Sequence, residues 1–222
     1  MKAMHKSLLG TLLLGLSGLV FSPAYAEISD ADLGGLKLVN DDKNLKIYVR
    51  SGTDLSQYSG FNLKSVDVAF DVDWLEDYNR ERKSLSNRLD DKDLTKISER
   101  FKKAFQKTLN NTLESEGKAK LVDSAGANAL SVESTIAKLQ LNAPDKQTAA
   151  RKTYLVRQAG EAELHTKMYD ASGTLVVAII DSKETREHFD LFETNRVRNQ
   201  YEFSSVYRKW AKNWLKGIQQ GS

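Results

Sequence analysis

Two histidines, His165 and His188, are the first residues to consider for acid–base or metal chemistry, since His5 falls in the apolar opening of the chain. A turn at Asp170-Ala171-Ser172-Gly173 would place His165 on a strand opposite roughly residue 178, with His188 about ten residues further along the strand direction. That separation argues against a shared metal or proton. Glu184 and His188 would share a helix face, but two ligands do not make a zinc site. His165 is therefore expected as an exposed strand residue and His188 as a loop residue. No metal and no cofactor is expected.

The densest carboxylate group is Asp71, Asp73, Glu76 and Asp77. Hard cations want several such oxygens, yet no loop glycine stands at the needed spacing. The alternation of Asp71 and Asp73 fits a solvated strand edge, where charge discourages edge pairing. Neither Ser124-Ala125-Gly126 nor Ala171-Ser172-Gly173 fits the G-x-S-x-G elbow, and both serve as turns. There is no phosphate-binding loop and no dinucleotide fingerprint. No catalytic residue is assigned. One basic stripe remains, Arg208, Lys212 and Lys216 at four-residue spacing, with Lys209 alongside and Trp210 and Trp214 nearby. It could touch an anionic envelope component or an acidic partner. The competing reading is an amphipathic helix with tryptophans in the core and lysines in water, and the stripe is the expected contact surface only in default of a better one.

The elements that would position these residues centre on Gly160–Ile218. Ala162, Leu164, Thr166 and Met168 alternate with Glu161, Glu163, His165 and Lys167, the period of a half-buried strand. Thr174–Asp181 is apolar on both sides and so central or covered. A long helix then carries Phe203, Val206, Tyr207, Trp210, Trp214, Leu215 and Ile218 on one stripe. Upstream, Leu36–Val39 and Leu45–Arg50 read as a hairpin and Leu63–Trp74 as a strand. Leu75–Leu89 reads as loop or partial helix. Asp90 or Asp91 caps a helix to Glu116 that Gly117 ends. Lys120–Asp123 is a short strand and Ala129–Asn142 a long one, whose change of parity asks for a bulge near Ala137-Lys138. Ala143–Arg151 reads as a mobile loop. The expected fold is α+β: an antiparallel-dominated twisted sheet of about five to six strands with two long helices packed on one face. One parallel neighbour is allowed through the helix at 91–116. The expected core includes Val66, Val68, Phe70, Phe101, Phe105, Leu175, Trp210 and Trp214.

The opening of the chain reads as a secretory leader. Lys2 and Lys6 are followed by the apolar run Leu8–Val20 and by Ala24-Tyr25-Ala26, a small-x-small site that predicts cleavage before Glu27. Residues 1–26 would be removed, 27–35 would form a flexible lead-in, and 36–222 a single domain. No later segment is apolar enough to span a bilayer. The chain has no cysteine, which excludes disulfides, thiol chemistry and a lipid anchor, and the expected location is the periplasm. The net charge of +3 falls to 31 basic against 30 acidic residues once Lys2 and Lys6 are set aside. No nucleic-acid partner is expected of a chain so nearly neutral.

Five stretches then carry a resemblance: LSQYSGF (Leu55–Phe61), SVDVAFDV (Ser65–Val72), GANALSVESTIAKLQLNAP (Gly126–Pro144), AELHTKMYDASGTLVVAIID (Ala162–Asp181) and FSSVYRKWAKNWLKGI (Phe203–Ile218). In this order and spacing the chain resembles a family of bacterial envelope proteins catalogued as domain of unknown function 3313. The resemblance implies a fold similar to the small α+β domains of exporter auxiliary lipoproteins and brings no catalytic residue. It departs from the family in lacking a lipidation cysteine. The expected function is that of a non-enzymatic periplasmic protein that binds a protein or envelope component. A carboxylate hydrolase of an envelope polymer and an auxiliary subunit of an export or envelope-maintenance complex are the alternatives.

Overall fold

The computed structural model describes residues 28–117, 119–124, 126–144 and 154–220, so the expected leader and most of the expected loop at 143–151 lie outside the described residues. Among the described residues, nine strands and three helices follow in order: β1 Leu36–Asp42, β2 Leu45–Arg50, β3 Gly60–Phe70, α1 Val72–Arg80, α2 Asp91–Glu116, β4 Lys120–Leu121, β5 Ala129–Leu141, β6 Tyr154–Val156, β7 Gly160–Tyr169, β8 Leu175–Glu184, β9 Phe192–Thr194 and α3 Arg196–Gln220. The main sheet has seven strands in the order β1-β2-β8-β7-β5-β3-β4, and β6 with β9 forms a separate ladder. The fold is α+β, but the sheet is larger and more mixed than expected. The pairs β3–β5 and β3–β4 are parallel, and the pairs from β1 to β5 are antiparallel. The long α2 lies between β3 and β5 in sequence, and that length of chain is what lets the two strands run the same way.

The clearest departure is at residues 71–80. The alternation Val66, Val68, Phe70, Val72, Trp74 reads as one strand, but the strand stops at Phe70. The Asp71 side chain accepts a hydrogen bond from the Trp74 amide at 2.8 Å and so caps α1. Asp73, Glu76 and Asp77 therefore sit on a helix, not on a strand edge. A short 3-10 turn at Leu85–Asn87 is all the regular structure between α1 and the cap of α2.

The second helix is built as its sequence asks. Asp90 and Asp93 form a reciprocal capping box, and Gly117 closes the other end in the left-handed conformation at φ 65°. The expected bulge in β5 is present. Lys138 takes φ 48° and the pairing with β7 slips between Ala137 and Gln140, which turns Leu139 and Leu141 inward.

One face of the sheet packs under α2 and α3. Trp210, Trp214, Tyr207, Phe61, Phe105 and Phe203 are the largest fully buried side chains, with Phe105 edge-on to Tyr207, Trp210 and Trp214. Val68, Phe70 and Leu175, expected in the core, are only half-buried. Phe70 instead stacks on Trp74, and Trp74 leans on Tyr78, at the start of α1. The opposite face of the sheet carries no helix of this length among the described residues. The segment expected as a lead-in lies on it: Ile28 is buried and Asp32 reaches Lys167 of β7 at 2.9 Å. That contact holds the Asp32 carboxyl down at about 2, chiefly through Lys167. No helix among the described residues is long and apolar enough to cross a membrane.

Candidate functional site

On the open face the alternation of β7 presents Glu161, Glu163, His165 and Lys167. His165 is nevertheless buried, contrary to expectation, because the backbone of Ile28 crosses over it. The Ile28 amide donates to His165 Nδ1 at 3.3 Å. With Nδ1 accepting, Nε2 carries the ring hydrogen and donates to Glu163 Oε1. Ser182 Oγ donates to the other Glu163 oxygen at 2.6 Å, and Lys138 Nζ, lifted by the β5 bulge, lies 3.3 Å from the first. Hydrogen bonding from His165 holds the Glu163 carboxyl at about 2 in spite of its burial.

This chemistry is that of a filled network. Both imidazole nitrogens are engaged, and the serine hydroxyl donates to a carboxylate held down at about 2, too weak a base to activate it. Glu163 is ionised throughout the physiological range and cannot serve as a general acid. Its stabilising effect should be present above the ordinary value of 4.5 and be lost as pH falls toward about 2. Glu163→Gln should therefore lower the urea midpoint at pH 7 and leave it almost unchanged near pH 2; equal losses at both pH values would refute the assignment.

A solvent-open cleft runs along the ends of β5, β7 and β8; Lys138, Glu163 and Ser182 of this network line it together with Asp71, Gln140, Glu161, Lys183 and Glu184. Glu161 and Glu184 face each other in register. Burial raises the Glu161 carboxyl, and the charges of Glu184 and Asp71 add to the rise. Past Asp71 and Gln140 a second hollow continues to Asp73, Trp74 and Asp77 on α1. Among the described residues no three His, Asp or Glu side chains gather as metal ligands would.

His188 lies in a loop, as expected, but on its own carboxylate. Its Nε2 is 3.2 Å from Glu202 Oε1, which also meets Arg198 Nε at 2.9 Å, and the Arg198 guanidinium sits over the Phe192 ring. The structure thus gives His165 and His188 different acidic partners. Around the second group the surface turns apolar. Phe189 is 95% exposed, and Leu155, Leu191, Val197 and Tyr201 are each more than half exposed, on β6, the approach to β9 and the first turns of α3. These five are the majority of the large hydrophobic side chains exposed among the described residues.

The basic stripe is largely occupied by the chain itself. Lys212 pairs with Glu116 at 3.0 Å, Lys216 with Asn40 at 2.6 Å and Asp42 at 3.7 Å, and Arg208 lies 3.4 Å from Ser204 Oγ. Trp210 and Trp214 are in the core. Any anion bound there would compete with these contacts.

Sequence reasoning placed Glu163 and His165 on one face but missed their cluster. The hairpin register runs His165 opposite Ile180, two residues beyond the count: Tyr169 pairs with Leu175, one residue further than a turn at 170–173 gives, and the pairing slips by one more between Met168 and Tyr169.

No curated protein matches the chain in sequence. Among solved structures it is similar to a dodecamer of a PelC variant from Paraburkholderia phytofirmans, with 9% identity, 79% of this chain and 97% of that chain covered, and a TM-score of 0.37. It is equally similar to a PDZ domain protein from Parabacteroides distasonis ATCC 8503, with 9% identity, a TM-score of 0.37 and 77% of this chain covered, but it spans only 35% of that protein. Likeness at this level bears on neither function nor assembly. The family model described as a protein of unknown function, DUF3313, matches residues 31–214, and the chain belongs to that family.

Proposed function

We propose that the protein is a non-enzymatic envelope protein that works by binding a protein partner in the periplasm, and that the apolar end around Phe189 is where it binds. The observation that carries this reading is the concentration of exposed large side chains on β6, the approach to β9 and the start of α3. Exposed apolar groups gathered in one region of a domain are a common mark of association, whereas singly scattered ones are not. The location rests on the leader that the sequence predicts at residues 1–26. The filled network around Glu163 also favours binding over catalysis, since its members are already satisfied by one another.

Photo-crosslinking in living cells tests the proposal. Probes at Phe189, Val197 and Tyr201 should each give the same discrete higher-mass adduct, and probes at Arg208 and Lys212 should not. Adducts from the basic stripe alone would move the contact surface there. Monomer at every position would overturn the binding reading and leave the hydrolase alternative, whose carboxylates would be Glu161 and Glu184 in the open cleft. Partners drawn from an assembled export machine would make the protein an auxiliary subunit.

A further inference from the structure

Among the described residues the sheet ends in an unpaired edge at β1, and the residues along it are self-complementary. β1 pairs with β2 on its inner side, and among the described residues no backbone hydrogen bond from Lys37–Asp42 reaches any other segment. The strand is seven residues long, Leu-Lys-Leu-Val-Asn-Asp-Asp. Leu38 and Val39 are 44% and 40% exposed at its middle. Edges that stay single are normally short, charged along their length, or carry proline or a bulge, and of these β1 has only the bulge, between Leu38 and Asn40. In β1 the charge is confined to the two ends, with Lys37 near the first and Asp41 and Asp42 at the last. Lys37 and Asp41 have no partner among the described residues.

We propose that β1 pairs antiparallel with β1 of a second copy of this chain, about a two-fold axis near Val39, joining two sheets into one. Antiparallel alignment about Val39 sets Lys37 of each strand opposite Asp41 of the other, twice over, brings the two exposed Val39 side chains together and places each Leu38 opposite Asn40. Parallel alignment would stack like charges on like and is disfavoured. Such an interface is the same patch on both subunits, so it closes at two copies and does not propagate. The bulge between Leu38 and Asn40 adds twist at the strand centre, and both strands of the pair would carry it alike. This surface is separate from the apolar end, and the inference stands or falls independently of it.

The absence of cysteine makes the test clean. Val39→Cys in the chain as released by the cell gives one thiol per subunit, at the expected two-fold. Light scattering of the unmodified chain should read twice the subunit mass, and oxidation of the Val39→Cys protein should trap a covalent dimer. Lys37→Asp should raise the dimer dissociation constant about tenfold. The double change Lys37→Asp with Asp41→Lys should restore it, a recovery that a general loss of folding would not show. A monomer at every concentration, a dimer that Val39→Cys does not trap, or an open polymer would each overturn the proposal.

Discussion

Gly160→Ala should lower the stability of the protein by about 3 kcal/mol or more, a large effect for a single methyl group. Gly160 opens β7 at φ 152°, a conformation that favours glycine, and a Cβ there would lie 2.0 Å from the carbonyl oxygen of Gln140. That oxygen belongs to backbone in β5, fixed by the ladder through Gln140 and Leu141, so it cannot rotate away. The Gly160 amide also donates to Thr185 Oγ1 at 3.1 Å, and its carbonyl accepts from the Thr185 amide at 2.9 Å. The added methyl must therefore push apart two strands and a bridging loop together. Chemical denaturation of the variant reads the loss directly. Retention of wild-type stability would mean that β7 does not enter the sheet at this angle.

Trp210→Ala should cost about 3–5 kcal/mol, the range for removing a large buried aromatic. Trp210 is fully buried between Tyr207, 5.7 Å away between ring centres, and Phe105, at 6.1 Å. Its indole Nε1 donates to the Asp181 carbonyl at 3.1 Å, so the variant loses a buried hydrogen bond as well as its packing. Asp181 itself is buried against Lys183 and Asn213, and burial raises its carboxyl. A loss under about 1 kcal/mol would mean that α3 does not seat on this face.

The parts of this fold that are legible in the sequence are those whose signals are local. α2 announces itself by Asp90, Asp93 and Gly117 within its own span, and the β5 bulge by a change of parity inside one strand. The start of α1 defeats the same reasoning because Asp71 satisfies two rules at once. It keeps the alternation of a strand, and it is a helix cap. Only the position of the Trp74 amide decides between them. The cluster around Glu163 was half legible. Alternation put Glu163 and His165 on one face, but burial of His165 depends on Ile28, 137 residues away in the chain. The apolar end was not legible at all, since Leu155 is brought to the segment that holds Leu191 and Val197 only when β6 pairs with β9.

The order of strands has a consequence for how the chain folds. β2 is among the first elements made, yet its neighbour on the inner side is β8, where Ile47 meets Ile179. Until that late segment arrives, the hairpin of β1 and β2 has no sheet to join, and Leu45, Ile47 and Val49 have no core. Pairings of such long sequence separation slow folding and leave sticky intermediates. A chain growing from its amino end must hold this hairpin in waiting until β8 has emerged, and α3 then packs over the joined strands.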